Sequence, residues 1–160
     1  ILNPMFEGYR YHFTGLHHGP TGHPTEDAEL CDALMKRLFN KVDAHLDELE
    51  LNEEYMLEDA DIMIIAYGSV SLGVTEAINR MRKEGIKVGM FRPLTIWPSP
   101  AKRIKELMTR FDKVLITELN MGQFADEVQR VSGRSDFDTL FKVNGRPLSP
   151  LEIIEKVKGM

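Results

Sequence analysis

Cysteine is almost missing from this chain: Cys31 stands alone among 160 residues. A disulfide needs two thiols and a conventional iron–sulfur cluster four, so neither can be built from this sequence alone. A reducing, cytoplasmic setting is the natural expectation. Long apolar runs are missing too. No stretch approaches the ~20 residues of a membrane-spanning helix, and no leader pattern opens the chain. Basic excess is the third absence, since 20 Lys and Arg face 25 Asp and Glu for a formal charge of −5. Nucleic acid is therefore not an expected partner, because a phosphate backbone calls for a concentrated basic surface. The chain opens on Ile1 with what reads as mid-protein sequence, so a portion of a longer polypeptide is expected.

What is present divides into an irregular opening and a regular remainder. Residues 1–25 carry Pro4, Gly8, Gly15, Gly19, Pro20, Gly22 and Pro24, a density of punctuation that favours loops and short extended pieces. Poor anchoring of Met5–His23 is expected from that composition. Thr25 can cap a helix running to about Glu50, with Leu34, Leu38, Val42, Leu46 and Leu49 as its apolar stripe. Acids gather from Asp43 to Asp61, with no Lys or Arg between Val42 and Asn79. This reads as a solvated acidic face and linker, or as a patch for a metal or a basic partner.

From there strands and helices alternate. Strands are expected at Ile62–Ala66, Ile86–Phe91, Val114–Thr117 and Thr139–Val143. Helices are expected at Thr75–Lys83, after Ser99–Pro100, and at Gly122–Val131. A last helix starts at Ser149–Pro150–Leu151–Glu152, which has the form of a capping box. Such alternation with short connections implies an α/β fold, its largely parallel sheet covered by helices on both faces. The expected division is an arm and amphipathic helix over residues 1–54, then an α/β domain over 55–160.

In an open parallel sheet, ligands and partners gather at the carboxyl ends of the strands. Those ends are Gly68–Ser71, Arg92–Pro93 and Glu118–Asn120. Gly68 and Gly73 are spaced as in a phosphate loop, but Val74 stands where its lysine should be. The dinucleotide fingerprint also fails for want of a third glycine. Ser69 and Ser71 can bind an anion at a helix start or simply cap that helix. Arg92 and Glu118 can pair across neighbouring elements. Trp97, the single tryptophan, suits a core anchor or an interface anchor. His12, His17, His18 and His23 invite a zinc reading, although their spacing matches no standard site, and contacts with another domain are the competing reading. Cys31 has no adjacent base and reads as a packing residue.

Three landmarks occur in order: Tyr67–Gly68–Ser69, then Phe91–Arg92–Pro93 with Trp97–Pro98, then Glu118–Asn120 with Gly122–Gln123. Together they resemble the alpha subunit of 2-oxoacid:ferredoxin oxidoreductases, nearest in flavour to the 2-oxoglutarate type. The resemblance covers most of the chain and is clearest from about Tyr55. It implies a transketolase C-terminal-like domain, a three-layer α/β/α sandwich on a mostly parallel but mixed five-stranded sheet. It also implies a non-catalytic part in assembly, with no catalytic, cofactor or metal residue of its own. Gly68, Ser69, Ser71, Arg92, Trp97, Glu118, Asn120 and Gln123 are its candidate interface or anion contacts. Ser69, Arg92, Glu118 and Asn120 are expected to cluster at the carboxyl edge. Thiamine pyrophosphate, magnesium and an iron–sulfur cluster would belong to the complete enzyme, whose partners would be a beta subunit, ferredoxin and coenzyme A. Upstream, Thr14–Gly15–Leu16–His17–His18 resembles a segment where many relatives carry acids; here His17 and Gly19–Pro20 take those places. The equivalent domain of another thiamine enzyme, or a stand-alone anion-binding α/β domain, are the alternatives.

Overall fold

The structure is a computed structural model that describes Pro4, residues 6–9 and residues 14–160. The chain forms two compact units, Ile1–Leu46 and Asp47–Met160.

In the first unit, β1 (His17–His18) and β2 (Pro24–Thr25) pair antiparallel, His17 opposite Thr25. Helix α1 (Ala28–Asp43) begins three residues beyond the expected cap, Thr25. The cap is Asp27, whose Oδ1 accepts from Leu30 N at 2.9 Å, while the Thr25 hydroxyl accepts from Asp27 N at 3.1 Å. Aspartate wins because its ionised oxygen also favours the positive helix start. The helix stops at Asp43 rather than near Glu50, and a short turn, α2 (Leu46–Leu49), follows. No residue of α1 is buried. Within its expected stripe Leu34 and Val42 are half-buried and Leu38 is exposed.

The second unit is built on one five-stranded sheet of order β3–β5–β4–β6–β7, comprising β3 (Asn52–Tyr55), β4 (Ile62–Ile65), β5 (Val88–Pro93), β6 (Lys113–Glu118) and β7 (Asp138–Phe141). The last four run parallel, and β3 runs antiparallel to β5 at one edge. Between them run α3 (Val70–Lys83), α4 (Ala101–Arg110) and α5 (Gln123–Ser132), and α6 (Pro150–Lys158) closes the chain. Alternation along β4 divides the core. Ile64 packs with Val74, Ile78 and Ile153 of α3 and α6, whereas Met63 and Ile65 pack with Ile104, Leu107 and Phe124 of α4 and α5. Both faces of β4 are buried, which is why its sequence is an unbroken apolar run. The result is the expected three-layer α/β/α sandwich.

The boundary expected between residues 54 and 55 runs through β3. This strand hid in the acidic stretch because an edge strand can be polar when its charges are matched. Glu53 lies opposite Arg92 and pairs with it at 3.0 Å, and Glu54 pairs with Arg103 at 2.6 Å. The acidic run is therefore partly sheet, not simply linker. Helix α3 starts at Val70, ahead of the expected Thr75, because Val70 and Val74 extend its buried stripe. The capping box of α6 is formed, Glu152 N donating to the Ser149 hydroxyl at 3.3 Å and Ser149 N to Glu152 Oε2 at 2.8 Å. No helix among the described residues is long and apolar enough to cross a membrane.

Candidate functional site

Because β5, β4 and β6 are adjacent and parallel, their following loops leave the sheet on one edge. That edge carries Tyr67–Ser69, Arg92, Trp97 and Glu118–Asn120, as the order of the landmarks required.

Glu118 ends β6 and is 1% exposed. A carboxylate this deep needs its lone pairs filled. Its Oε2 accepts from the Tyr67 hydroxyl at 2.9 Å and from Phe124 N at 3.0 Å, and its Oε1 accepts from Ala125 N at 2.9 Å. Asn120 completes the arrangement. Its Nδ2 donates to the Tyr67 oxygen at 2.8 Å, and its Oδ1 accepts from Gly122 N at 2.7 Å and Gln123 N at 3.1 Å. Two side chains of the β6–α5 loop thus serve the free amides that open α5, so Gly122 can hold the cap position without a side chain. Negative charge at a helix start is favourable, and the two α5 amide bonds to the Glu118 carboxylate are charge-assisted.

Gly122 is needed there: its φ is +100°, and a Cβ would lie 2.7 Å from the Phe141 ring. The Tyr67 ring rests 5.3 Å from that of Phe124. Burial, reinforced by the bond to Glu118, pushes the Tyr67 phenol up to about 12. The phenol is consequently a fixed donor to Glu118 at ordinary pH.

Sequence reasoning put Glu118 and Asn120 on the candidate roll but left out Tyr67, which joins them. The available signal was a lone phenol placed between a buried strand and a glycine. Arg92 does not pair with Glu118. Strand β4 separates their strands, and the Arg92 guanidinium turns outward to Glu53 on β3. Its Nε is buried without a hydrogen-bond partner among the described residues. Ser71 is buried and donates to Gly68 O at 2.7 Å, which closes the turn into α3. Ser69 is exposed and makes no side-chain cap. Gln123 presents an exposed side chain. Trp97 is 68% exposed, which removes the core-anchor reading.

Among the described residues no three His, Cys, Asp or Glu come together as metal ligands. His12 lies outside the described residues, and His18 Nε2 lies 2.7 Å from the Thr14 hydroxyl. One cysteine cannot supply the four thiolates of an iron–sulfur cluster, and the sequence has no aspartate–asparagine motif to hold a metal–diphosphate.

A mostly parallel sheet with helices on both faces, whose carboxyl edge carries the hydrogen-bonded Tyr67–Glu118–Asn120 cluster, defines an α/β domain of the transketolase C-terminal kind. Residues 60–153 match the family described as pyruvate:ferredoxin oxidoreductase core domain II, and the chain belongs to that family. It is 38% identical over 160 residues to the 2-oxoglutarate synthase subunit KorA of Methanothermobacter marburgensis, covering 98% of this chain and 43% of that one. The KorA subunit of Methanocaldococcus jannaschii is 37% identical, with 98% and 42% covered. The chain therefore spans less than half the length of these relatives. Among solved structures, a 2-oxoglutarate:ferredoxin oxidoreductase from Magnetococcus marinus, with 2-oxoglutarate, coenzyme A and succinyl-CoA bound, superposes with a TM-score of 0.76. It is 29% identical, over 98% of this chain and 27% of that one. A split-gene transketolase in an inactive β4 tetramer superposes at 0.58 over 69% of this chain and 41% of that one; at 17% identity it speaks for the fold alone.

Proposed function

We propose that this chain is a non-catalytic framing domain of the alpha subunit of a thiamine-dependent 2-oxoacid:ferredoxin oxidoreductase. The complete enzyme would decarboxylate a 2-oxoacid oxidatively, pass the acyl group to coenzyme A and the electrons to ferredoxin. What carries this reading is the match of 98% of the chain, at 38% identity, to a 2-oxoglutarate synthase subunit. The geometry supports the non-catalytic part: both Glu118 oxygens are engaged by Tyr67 and by α5 amides, which leaves no free acid or base in the cluster. Thiamine pyrophosphate, magnesium and the iron–sulfur cluster would sit elsewhere in the assembly, beside a beta subunit, in the cytoplasm.

The substrate class is 2-oxoglutarate. A branched-chain 2-oxoacid is the second reading, favoured by the ketoisovalerate oxidoreductase subunit VorB of Methanothermobacter marburgensis, 29% identical over 99% of this chain and 49% of that one. The test is coenzyme-A-dependent ferredoxin reduction by the assembled enzyme. A kcat/KM at least tenfold higher for 2-oxoglutarate than for 2-ketoisovalerate is expected, and the reverse order gives the second reading. No 2-oxoacid-dependent reduction at all would reject the enzyme class. Tyr67→Phe and Asn120→Ala should leave kcat within about twofold; a hundredfold loss in a correctly assembled enzyme would make the cluster catalytic.

A further inference from the structure

The two edges of the sheet are finished differently. At the amino edge, where helices end and strands begin, arginines seal the chain. Arg82 donates to Val88 O at 2.8 Å and to Met56 O at 2.5 Å, and pairs with Asp59. Arg110 donates to Leu57 O and Glu58 O, and Arg134 to Met108 O, Phe111 O and Asp136. The carboxyl edge instead shows apolar side chains to water. Leu72 is 75% exposed, Trp97 68%, Met121 77% and Val143 59%, with Ile96 and Leu119 beside them. These residues follow β4, β5, β6 and β7, which are neighbours in the sheet, so they line one strip of its edge spanning about 15 Å. Together they offer on the order of 600 Å² of apolar surface, at the upper limit for a free monomer and near one side of a standard interface.

The β6–α5 part of the strip is also firmly held. Leu119 and Met121 flank Asn120 in the loop that Glu118, Asn120 and Tyr67 hold by six hydrogen bonds. Buried polar groups spent on fixing exposed apolar ones make physical sense for a surface that is covered and preorganised for its cover.

We propose that this strip is the seat of the remaining part of the same polypeptide, an inference that rests on reading the chain as one domain of a longer subunit. Two observations select that occupant. More than half of each KorA relative lies outside the stretch that matches this chain. Moreover, a strip so apolar suits a permanent neighbour: a dissociating partner would leave Trp97 and Met121 in water and invite aggregation, whereas a tethered one is present at high effective concentration. The occupant's contact face is apolar and carries few charges.

The test uses the full-length natural polypeptide, purified without its partner subunits. Single variants Met121→Cys and Leu72→Cys at the strip, and Lys87→Cys at the amino edge, are treated with N-ethylmaleimide. Modification is followed at each position by peptide mass spectrometry. Both strip positions should react at least tenfold more slowly than position 87, independent of protein concentration. Reaction at equal rates overturns the proposal. Protection that disappears on hundredfold dilution would assign the strip to a second copy, and protection that arises only when another subunit is added would assign it to that subunit; either outcome overturns it. A natural polypeptide no longer than these 160 residues would instead reject the reading on which the proposal rests.

Discussion

The amino and carboxyl edges of one sheet share the same strands, yet they use polar side chains for opposite ends. Arg82, Arg110 and Arg134 close the amino edge by filling carbonyls left open at chain reversals and helix ends. Glu118 and Asn120 fill the amides at the other end of a helix, but the loop so held exposes Leu119 and Met121. Polar satisfaction completes the first edge, whereas at the second it shapes an apolar surface. That difference is what separates a domain's outside from the side it turns to a neighbour.

The largest effect is expected at Glu118. Replacing it by Ala strips the Tyr67 hydroxyl and the Phe124 and Ala125 amides of their acceptor. The cost should be about 4 kcal/mol, read as a fall in the denaturant midpoint. Arg134→Ala at the opposite edge should cost about 2 kcal/mol in the same assay, since the Arg134 side chain is itself only partly buried.

Acid provides a third probe. The Lys142 ammonium, with help from Ser149, pulls the Glu152 carboxyl down to about 2. A depressed carboxyl contributes stability above its ordinary value of 4.5 and loses that contribution as pH falls through about 2. Glu152→Gln should therefore flatten the acid limb of the stability profile across that window and leave the slope above pH 5 unchanged. The smallest effect is expected on the strip. Trp97→Ser and Met121→Ser should each change the stability of this domain by no more than about 0.5 kcal/mol, because neither side chain is packed within it. A loss above about 2 kcal/mol in the same denaturant titration would show that they are packed here after all.

The parallel core was legible in the sequence because doubly buried strands are apolar throughout, as in Ile62–Met63–Ile64–Ile65, and because glycines and the Ser149 box mark helix ends. Strand β3 was not, since Asn52–Glu53–Glu54–Tyr55 has an edge strand's polarity and its partners Arg92 and Arg103 lie some forty to fifty residues away. The carboxyl edge was foreseen as a place, and Glu118 and Asn120 as residents. Their partner was misjudged: chain order set Arg92 near Glu118, while sheet order puts β4 between their strands and gives Glu118 the phenol of Tyr67. Pairing across a sheet depends on strand order, which local sequence does not encode. The exposure of Trp97 was equally invisible, because tryptophan suits cores and interfaces alike.

Under the function proposed here, Glu118 builds the edge and takes no part in the reaction. Glu118→Gln in the assembled enzyme tests it most directly, with unfolding midpoint and 2-oxoacid-dependent ferredoxin reduction measured on the same preparation. The amide keeps the shape but loses the charge that α5 and Tyr67 share. A midpoint lowered by several degrees is expected, with kcat per assembled enzyme within about twofold of the parent. A hundredfold fall in kcat at an unchanged midpoint would contradict it.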